Sequence, residues 1–312
     1  MLNKKNIISE NIPVPLLQPL SAADPMSIDI KNLHFLLSEE GAVILRNFDF
    51  TPEILEKFSN LFCHQFHTPA TRSSRKVSGD NYSTEVFPHN YTLLGHTEGS
   101  YRPNPTPPEI CFFMCITPPI EKGGETTLAD GIKFLELLPQ EVRSKFEKFG
   151  ITYEMYWEKE RWMNEFYVND KQSLEKFLSG VESVKYNINQ HEELHLFYTT
   201  SAITKSRSGK KVFATAILAH LPHITHPEYI NKTTYSKPSN RVYFGDGEEL
   251  SDQVVNQLID IYDQIIYPHR WQERDVVVVD NTRYLHGRTM TEKDCPRSLI
   301  SRFGRVNLTE FE

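Results

Sequence analysis

Asp275-Val-Val-Val-Val-Asp280-Asn-Thr-Arg-Tyr-Leu-His286-Gly-Arg288 is the stretch on which the fold turns. Four consecutive valines are stiff at χ1 and suit a pleated strand, and with no polar residue between them both faces must be covered. His286 follows just past this strand, where a rigid element can hold a functional side chain in place.

Working outward, Ser251 caps a helix in which Val254, Val255, Leu258, Ile259, Tyr262, Ile265 and Ile266 recur at helical spacing. The last strand is expected over Ser298–Val306. Ile110-Cys-Phe-Phe-Met-Cys-Ile116 reads as a second apolar strand, stopped by Pro118-Pro119. Gly41–Phe48 reads as another. Thr51 caps a helix with Pro52 at its first position and Ile54, Leu55, Phe58, Leu61 and Phe62 as its apolar stripe. Asp130 caps a helix carrying Phe134, Leu135 and Leu138. A further helix runs from Pro139 to Phe149 and closes at Gly150.

Residues 1–28 read as an irregular arm and 68–95 as a long functional loop. Residues 151–240 form a mixed insertion. It holds an aromatic stretch (Tyr153 to Tyr167), a helix near 170–179, and an expected hairpin pairing Leu196–Thr200 with Val212–Ile217 across a Ser-Gly turn. No repeat, linker or composition break divides the chain, so 1–312 is read as one domain: mainly β with flanking helices, an α+β chain.

The 312 residues carry a net charge of −7 and 12% aromatics. That is enough for a sizeable core and unsuited to general nucleic-acid binding. No apolar run approaches the length of a membrane span, and the four cysteines make no disulfide framework. A cytoplasmic protein is expected.

The chemistry centres on His96-Thr97-Glu98. If this fragment is a strand, residues two apart share a face and can grip one metal ion. With His286 as third ligand, two imidazoles and a carboxylate form a facial set that leaves three positions open, the arrangement used with Fe(II). His-x-Glu alone is a common accident; its surroundings make the case. Gly123-Gly-Glu-Thr126 offers a turn and a hydroxyl, and Arg297, eleven positions after His286, offers a planar fork suited to a carboxylate.

Five segments together give the chain a recognisable character: Gly95–Tyr101, Pro118–Thr126, Phe244–Gly247, Trp271–Asn281 and Leu285–Thr289. From about Gly41 to Val306 it resembles the Fe(II)/2-oxoglutarate-dependent oxygenases of the taurine dioxygenase (TauD/TfdA) family. The flavour is that of the syringomycin-biosynthesis and clavaminate synthase branches. The resemblance implies a double-stranded β-helix, or jelly roll of the cupin type. It makes His96, Glu98 and His286 the iron ligands, and gives Thr126 and Arg297 the distal carboxylate of 2-oxoglutarate, with O2 as co-substrate. It implies hydroxylation of a small amino-acid-like or natural-product substrate, with formation of succinate and CO2. It leaves room for a carrier-protein-tethered substrate and for a homo-oligomer, and places residues 151–240 over the site mouth. A glutamate at position 98 excludes the related halogenases, which carry a small residue there.

Tyr101 and Arg102, directly after the metal fragment, are candidate substrate contacts. Arg302 is one only if a bulge re-aims it, since it lies five residues from Arg297. Family members commonly have Gly where this chain has Arg274. His191-Glu-Glu-Leu-His195 matches the zinc metallopeptidase pattern H-E-x-x-H, which requires a helix. His220, His223 and His226 form a looser cluster around Pro222. The alternatives are thus a zinc peptidase through His191 and His195, or a non-catalytic ligand-binding jelly roll.

Overall fold

A computed structural model describes residues 13–67, 79–86, 91–103, 107–221, 240–292 and 295–306. Its framework is two facing sheets. The larger contains β1 (Leu16–Leu17), β2 (Ala42–Leu45), β15 (Val276–Asp280), β6 (Ile110–Thr117), β17 (Ser298–Val306) and β3 (Cys63–His67) in that spatial order, with β4 (Thr84–Glu85) also on β17. The smaller runs β14 (Tyr267–His269), β7 (Thr126–Asp130), β16 (Tyr284–Arg288), β5 (Leu93–His96).

The valine strand shows why this architecture forms. β15 is hydrogen-bonded on both sides, to β2 and to β6. Its residues divide by the two-residue period. Val276 and Val278 enter a core with Leu33 and Leu37 of α1 (Ile30–Glu40) and Leu55 and Phe58 of α2 (Pro52–Asn60). Val277 and Val279 enter the core between the sheets, with Leu128, Trp271 and Tyr284. All four are fully buried, each contributing roughly 1.5–3 kcal/mol of transfer free energy. The arrangement is a double-stranded β-helix with a helical layer behind the larger sheet.

Behind the smaller sheet lies the largest core. α3 (Gly131–Leu137), capped by Asp130, and α4 (Gln140–Phe149) enter it from one side. α8 (Asp252–Ile265), capped by Ser251, lays Val255, Leu258, Ile259 and Tyr262 into it. Opposite stand β8 (Ile151–Trp157), α5 (Lys159–Phe166), α6 (Lys171–Ser179), β9 (Val184–Ile188), β10 (Leu194–Thr200) and β13 (Asn240–Phe244). These strands make a sheet of their own in the order β13-β8-β10-β9. Among the described residues no helix is long and apolar enough to cross a membrane.

Four expectations need correction. The expected hairpin does not form. Leu196 pairs with Met155 of β8 and Tyr186 of β9, while the Ser-Gly turn joins β11 (Ile203–Lys205) to β12 (Lys211–Phe213). The described part of the N-terminal arm is not irregular throughout. Leu16 and Leu17 extend the large sheet beside Ile44 and Leu45, and Val14, Leu16 and Leu17 are buried. Pro13 and Pro15, which would break an inner strand, are tolerated at that edge. The loop over 68–95 contains β4 and most of β5; residues 68–78 and 87–90 fall outside the described residues. Finally, β5 ends at His96, so Glu98 is not on a strand.

Candidate metal centre

Adjacent strands bring the two histidines together. His286, mid-strand on β16, is the register partner of His96 at the end of β5. The pairing slips one position between His286 and Arg288, because Arg288 stands opposite Leu93. A bulge of this kind re-aims side chains beside an active site. The close approach requires Gly287, where a Cβ would come within 2.4 Å of the Leu93 carbonyl.

Glu98 reaches the same point from a turn. Gly99, at φ +76, reverses the chain directly after it. Buried Asn281 holds the turn at both backbone groups: Glu98 N–H donates to Asn281 Oδ1 at 2.7 Å, and Asn281 Nδ2 donates to the Glu98 carbonyl at 3.1 Å. The same Nδ2 also donates to the Pro108 carbonyl at 2.9 Å. Asn281 therefore positions Glu98 across 183 residues of sequence. Its place directly after the valine strand was the only signal for it.

One ligand atom from each of His96, Glu98 and His286 lies within 4.8 Å of the others. His96 Nε2 is 3.9 Å from Glu98 Oε2, and the two imidazole centroids are 4.6 Å apart. His96 Nδ1 lies 3.2 Å from the Leu94 carbonyl, which assigns the proton to Nδ1 and leaves the Nε2 lone pair toward Glu98. Burial drives the His286 imidazole well below its ordinary range, with His96 adding to the effect, so the ring is neutral. Its Nδ1 is buried without a hydrogen-bond partner among the described residues. Burial pushes the Glu98 carboxyl up, opposed by His96 and Arg102. Two imidazoles and a carboxylate converging on one point suit a divalent iron ion.

Thr126 begins β7, register-paired with Arg288 of β16 and with His269 of β14. Arg297 immediately precedes β17. Its Nε donates to the Gly124 carbonyl at 2.7 Å, two residues from Thr126. Burial, and secondarily Arg288, lowers the Arg297 guanidinium to about 10. Arg288 is a second buried cation at this end of the barrel, and sequence reading passed over it. Its Nη2 donates to the Tyr91 carbonyl at 3.1 Å. The spacing of two from His286 was visible but had no local meaning until the register was known.

Tyr101 and Arg102 both meet Glu165 of α5. Arg302 does not belong to the site. It is fully buried in β17, stacked 3.9 Å from the Phe66 ring centroid, and held by Ser59, Asn60 and Asp80. No bulge re-aims it, since the irregularities in β17 lie at Ser298/Leu299 and Arg305/Val306. The peptidase pattern also fails: His191 is in the β9–β10 turn and His195 on strand β10, where it bonds Glu154 at 2.8 Å. Without a helix the two histidines cannot make the zinc pair. His220 ends α7 (Ile217–His220) beside Tyr101, while His223 and His226 fall outside the described residues.

The family model described as taurine catabolism dioxygenase TauD, TfdA family, matches residues 13–302. The chain belongs to the TauD/TfdA family. Among TauD/TfdA relatives it is similar to the dapdiamide synthesis protein DdaC of Enterobacter agglomerans, at 26% identity over 286 residues, covering 81% of this chain and 79% of that protein. PvcB from Pseudomonas aeruginosa shares the fold at TM-score 0.58 and 16% identity, over 94% of this chain and 85% of that one. AAD-2, solved with Mn(II) and N-oxalylglycine, shares it at TM-score 0.56 and 14% identity, over 96% of each chain.

Proposed function

We propose that this chain is an Fe(II)- and 2-oxoglutarate-dependent dioxygenase that hydroxylates a small amino-acid-like or natural-product molecule and forms succinate and CO2. The observation that carries this reading is the convergence of His96, Glu98 and His286 within 4.8 Å inside a TauD/TfdA-family chain. PvcB, described as an Fe, alpha-ketoglutarate dependent oxygenase from an isonitrile synthetic pathway, and DdaC, a synthesis protein, support the cofactor and the biosynthetic setting.

In this reading the three side chains bind iron on one face. Thr126 and Arg297 receive the far carboxylate of 2-oxoglutarate, and Asn281 fixes the arm that carries Glu98. Iron, 2-oxoglutarate and O2 supply the oxidising power when bound; the protein supplies position and exclusion of water. The chain is taken as one oxygenase unit whose 151–240 insertion covers the site mouth. Support comes from the Thr97 N–H bond to the Thr215 carbonyl at 3.1 Å and from the tilted ring contact of Tyr101 with His220.

Anaerobic addition of Fe(II) and 2-oxoglutarate should produce a weak visible charge-transfer band, and His286→Ala should abolish it. A protein that shows neither the band nor any oxygen-dependent succinate is not this enzyme.

A further inference from the structure

The turn that carries Glu98 runs directly into a buried charge cluster. Arg102 is only 8% exposed, and its Nε lies 2.9 Å from Glu165 Oε2 on α5. Tyr101 donates its hydroxyl to the same oxygen at 2.8 Å. Arg161, one turn earlier on α5, approaches the other carboxylate oxygen at 3.9 Å. Two guanidiniums thus approach one carboxylate, Arg102 closely and Arg161 at longer range.

The cluster stands close to the metal-facing carboxylate, since Arg102 and Glu165 both act electrostatically on Glu98, in opposite senses. Aromatic rings wall it: His220 and Trp157 have centroids 5.0 and 6.3 Å from that of Tyr101. The ion pair also leaves bonding capacity. Arg102 Nε is within ion-pair distance of Glu165, yet its N–H is not directed at an acceptor among the described residues. A buried guanidinium whose Nε–H has no directed acceptor among the described residues is suited to a planar carboxylate.

We infer that Arg102 docks a free carboxylate of the molecule to be oxidised, exchanging part of its contact with Glu165 for the substrate. The inference rests on the proposed oxygenase reading and narrows its substrate class to amino-acid-type molecules that carry a free carboxylate. An amino acid tethered through a thioester has spent its α-carboxyl in the acyl bond and could make this contact only through an acidic side chain. Glu165 serves as the internal counter-ion that keeps Arg102 from being an uncompensated buried charge before substrate arrives.

The test uses the full chain loaded anaerobically with Fe(II) and 2-oxoglutarate, titrated with free L-amino acids and their α-carboxamides. Perturbation of the visible band is the readout. At least one acid should half-saturate at a concentration about 10-fold or more below its own amide, as loss of a charged hydrogen bond requires. Arg102→Gln should raise that acid's half-saturation roughly 10–100-fold and the amide's by less than about 3-fold. Glu165→Gln removes the competing carboxylate but keeps a hydrogen-bonding amide, and should lower the acid's half-saturation. Opposite signs distinguish docking from a structural ion pair, which both substitutions would weaken alike. If Arg102→Gln fails to fold, Arg102→Lys, which keeps charge but loses the fork, should still weaken the acid more than the amide. Losses of the same sign, equal response to acids and amides, or no response to either would overturn the inference. An intact band in the same samples shows that the oxygenase reading stands regardless.

Discussion

Arg297 immediately precedes β17 and Arg302 sits in its middle, five residues on, and both are buried. At Arg302 the guanidinium is saturated: Ser59, Asn60 and Asp80 take its protons, Nη1 donating to Asp80 Oδ1 at 2.8 Å, and Phe66 covers its face. At Arg297 the described residues give Nε only the neutral carbonyl of Gly124, and Arg288 lies near enough to depress its pKa further. Burial of a cation against a carboxylate builds structure; burial against a carbonyl and another cation builds a place for an anion. The neighbours of an arginine, and not its burial, decide which it is.

The largest effect should come from breaking the saturated side. Arg302→Ala leaves a cavity and strands Asp80, and is expected to cost about 3–5 kcal/mol of stability by urea unfolding. The surviving folded fraction should still bind 2-oxoglutarate at wild-type affinity. Loss of affinity without loss of stability would return Arg302 to the site. The converse holds for Arg297→Gln. It removes a poorly compensated buried charge, so stability should hold or rise, while 2-oxoglutarate affinity read from the visible band should drop about 100-fold, near 2–3 kcal/mol. An Arg297→Gln protein that is strongly destabilised, yet whose folded fraction binds 2-oxoglutarate normally, would reverse the assignments.

This contrast also marks what the sequence could reveal. β15 and α8 were readable because four valines and a seven-residue apolar stripe are strong local signals. The caps Thr51, Asp130 and Ser251 were readable because capping is a local hydrogen bond. His96 and His286 could be named from their motifs. Their meeting across β5 and β16 is a matter of register that no short window contains. Glu98 was placed on a strand because the alternation rule was carried past its end; Gly99 at φ +76 is where it stops. Arg274, where the resemblance led us to expect Gly, adopts φ +68, so a side chain stands in the left-handed backbone that glycine would occupy freely. Leu196–Thr200 was recognised as a strand but given the wrong partner, because its neighbours are fixed by the distant β8 as well as by β9. Arg302 was misjudged for the same reason: Asp80 lies 222 residues away.

A third arginine extends the comparison to its smallest effect. Arg207 Nη2 contacts the Nε2 of His34 on α1, with neither a carboxylate nor a carbonyl against it among the described residues. The ring of His34 is half-buried beside Phe62, and burial, then Arg207, lowers it from its ordinary 6.5 to about 4. Arg207 has no lone pair to offer, so His34 Nε2 must be the acceptor, and a proton there would end the contact. Below pH 6.5 the unfolded chain takes up a proton that the folded chain refuses until about pH 4. Stability contributed by this pair is therefore complete above pH 6.5 and lost as pH falls toward 4. His34→Gln can still accept the bond and has no such proton. Its urea midpoint should fall less than that of the wild type between pH 7 and pH 4, although both lose stability as their carboxylates protonate. Arg207→Met should lie between them, because desolvation, the larger cause, remains. Parallel midpoint-versus-pH curves for all three proteins would show that an imidazole partner places no titratable demand on a buried arginine, and that only charged partners divide these sites.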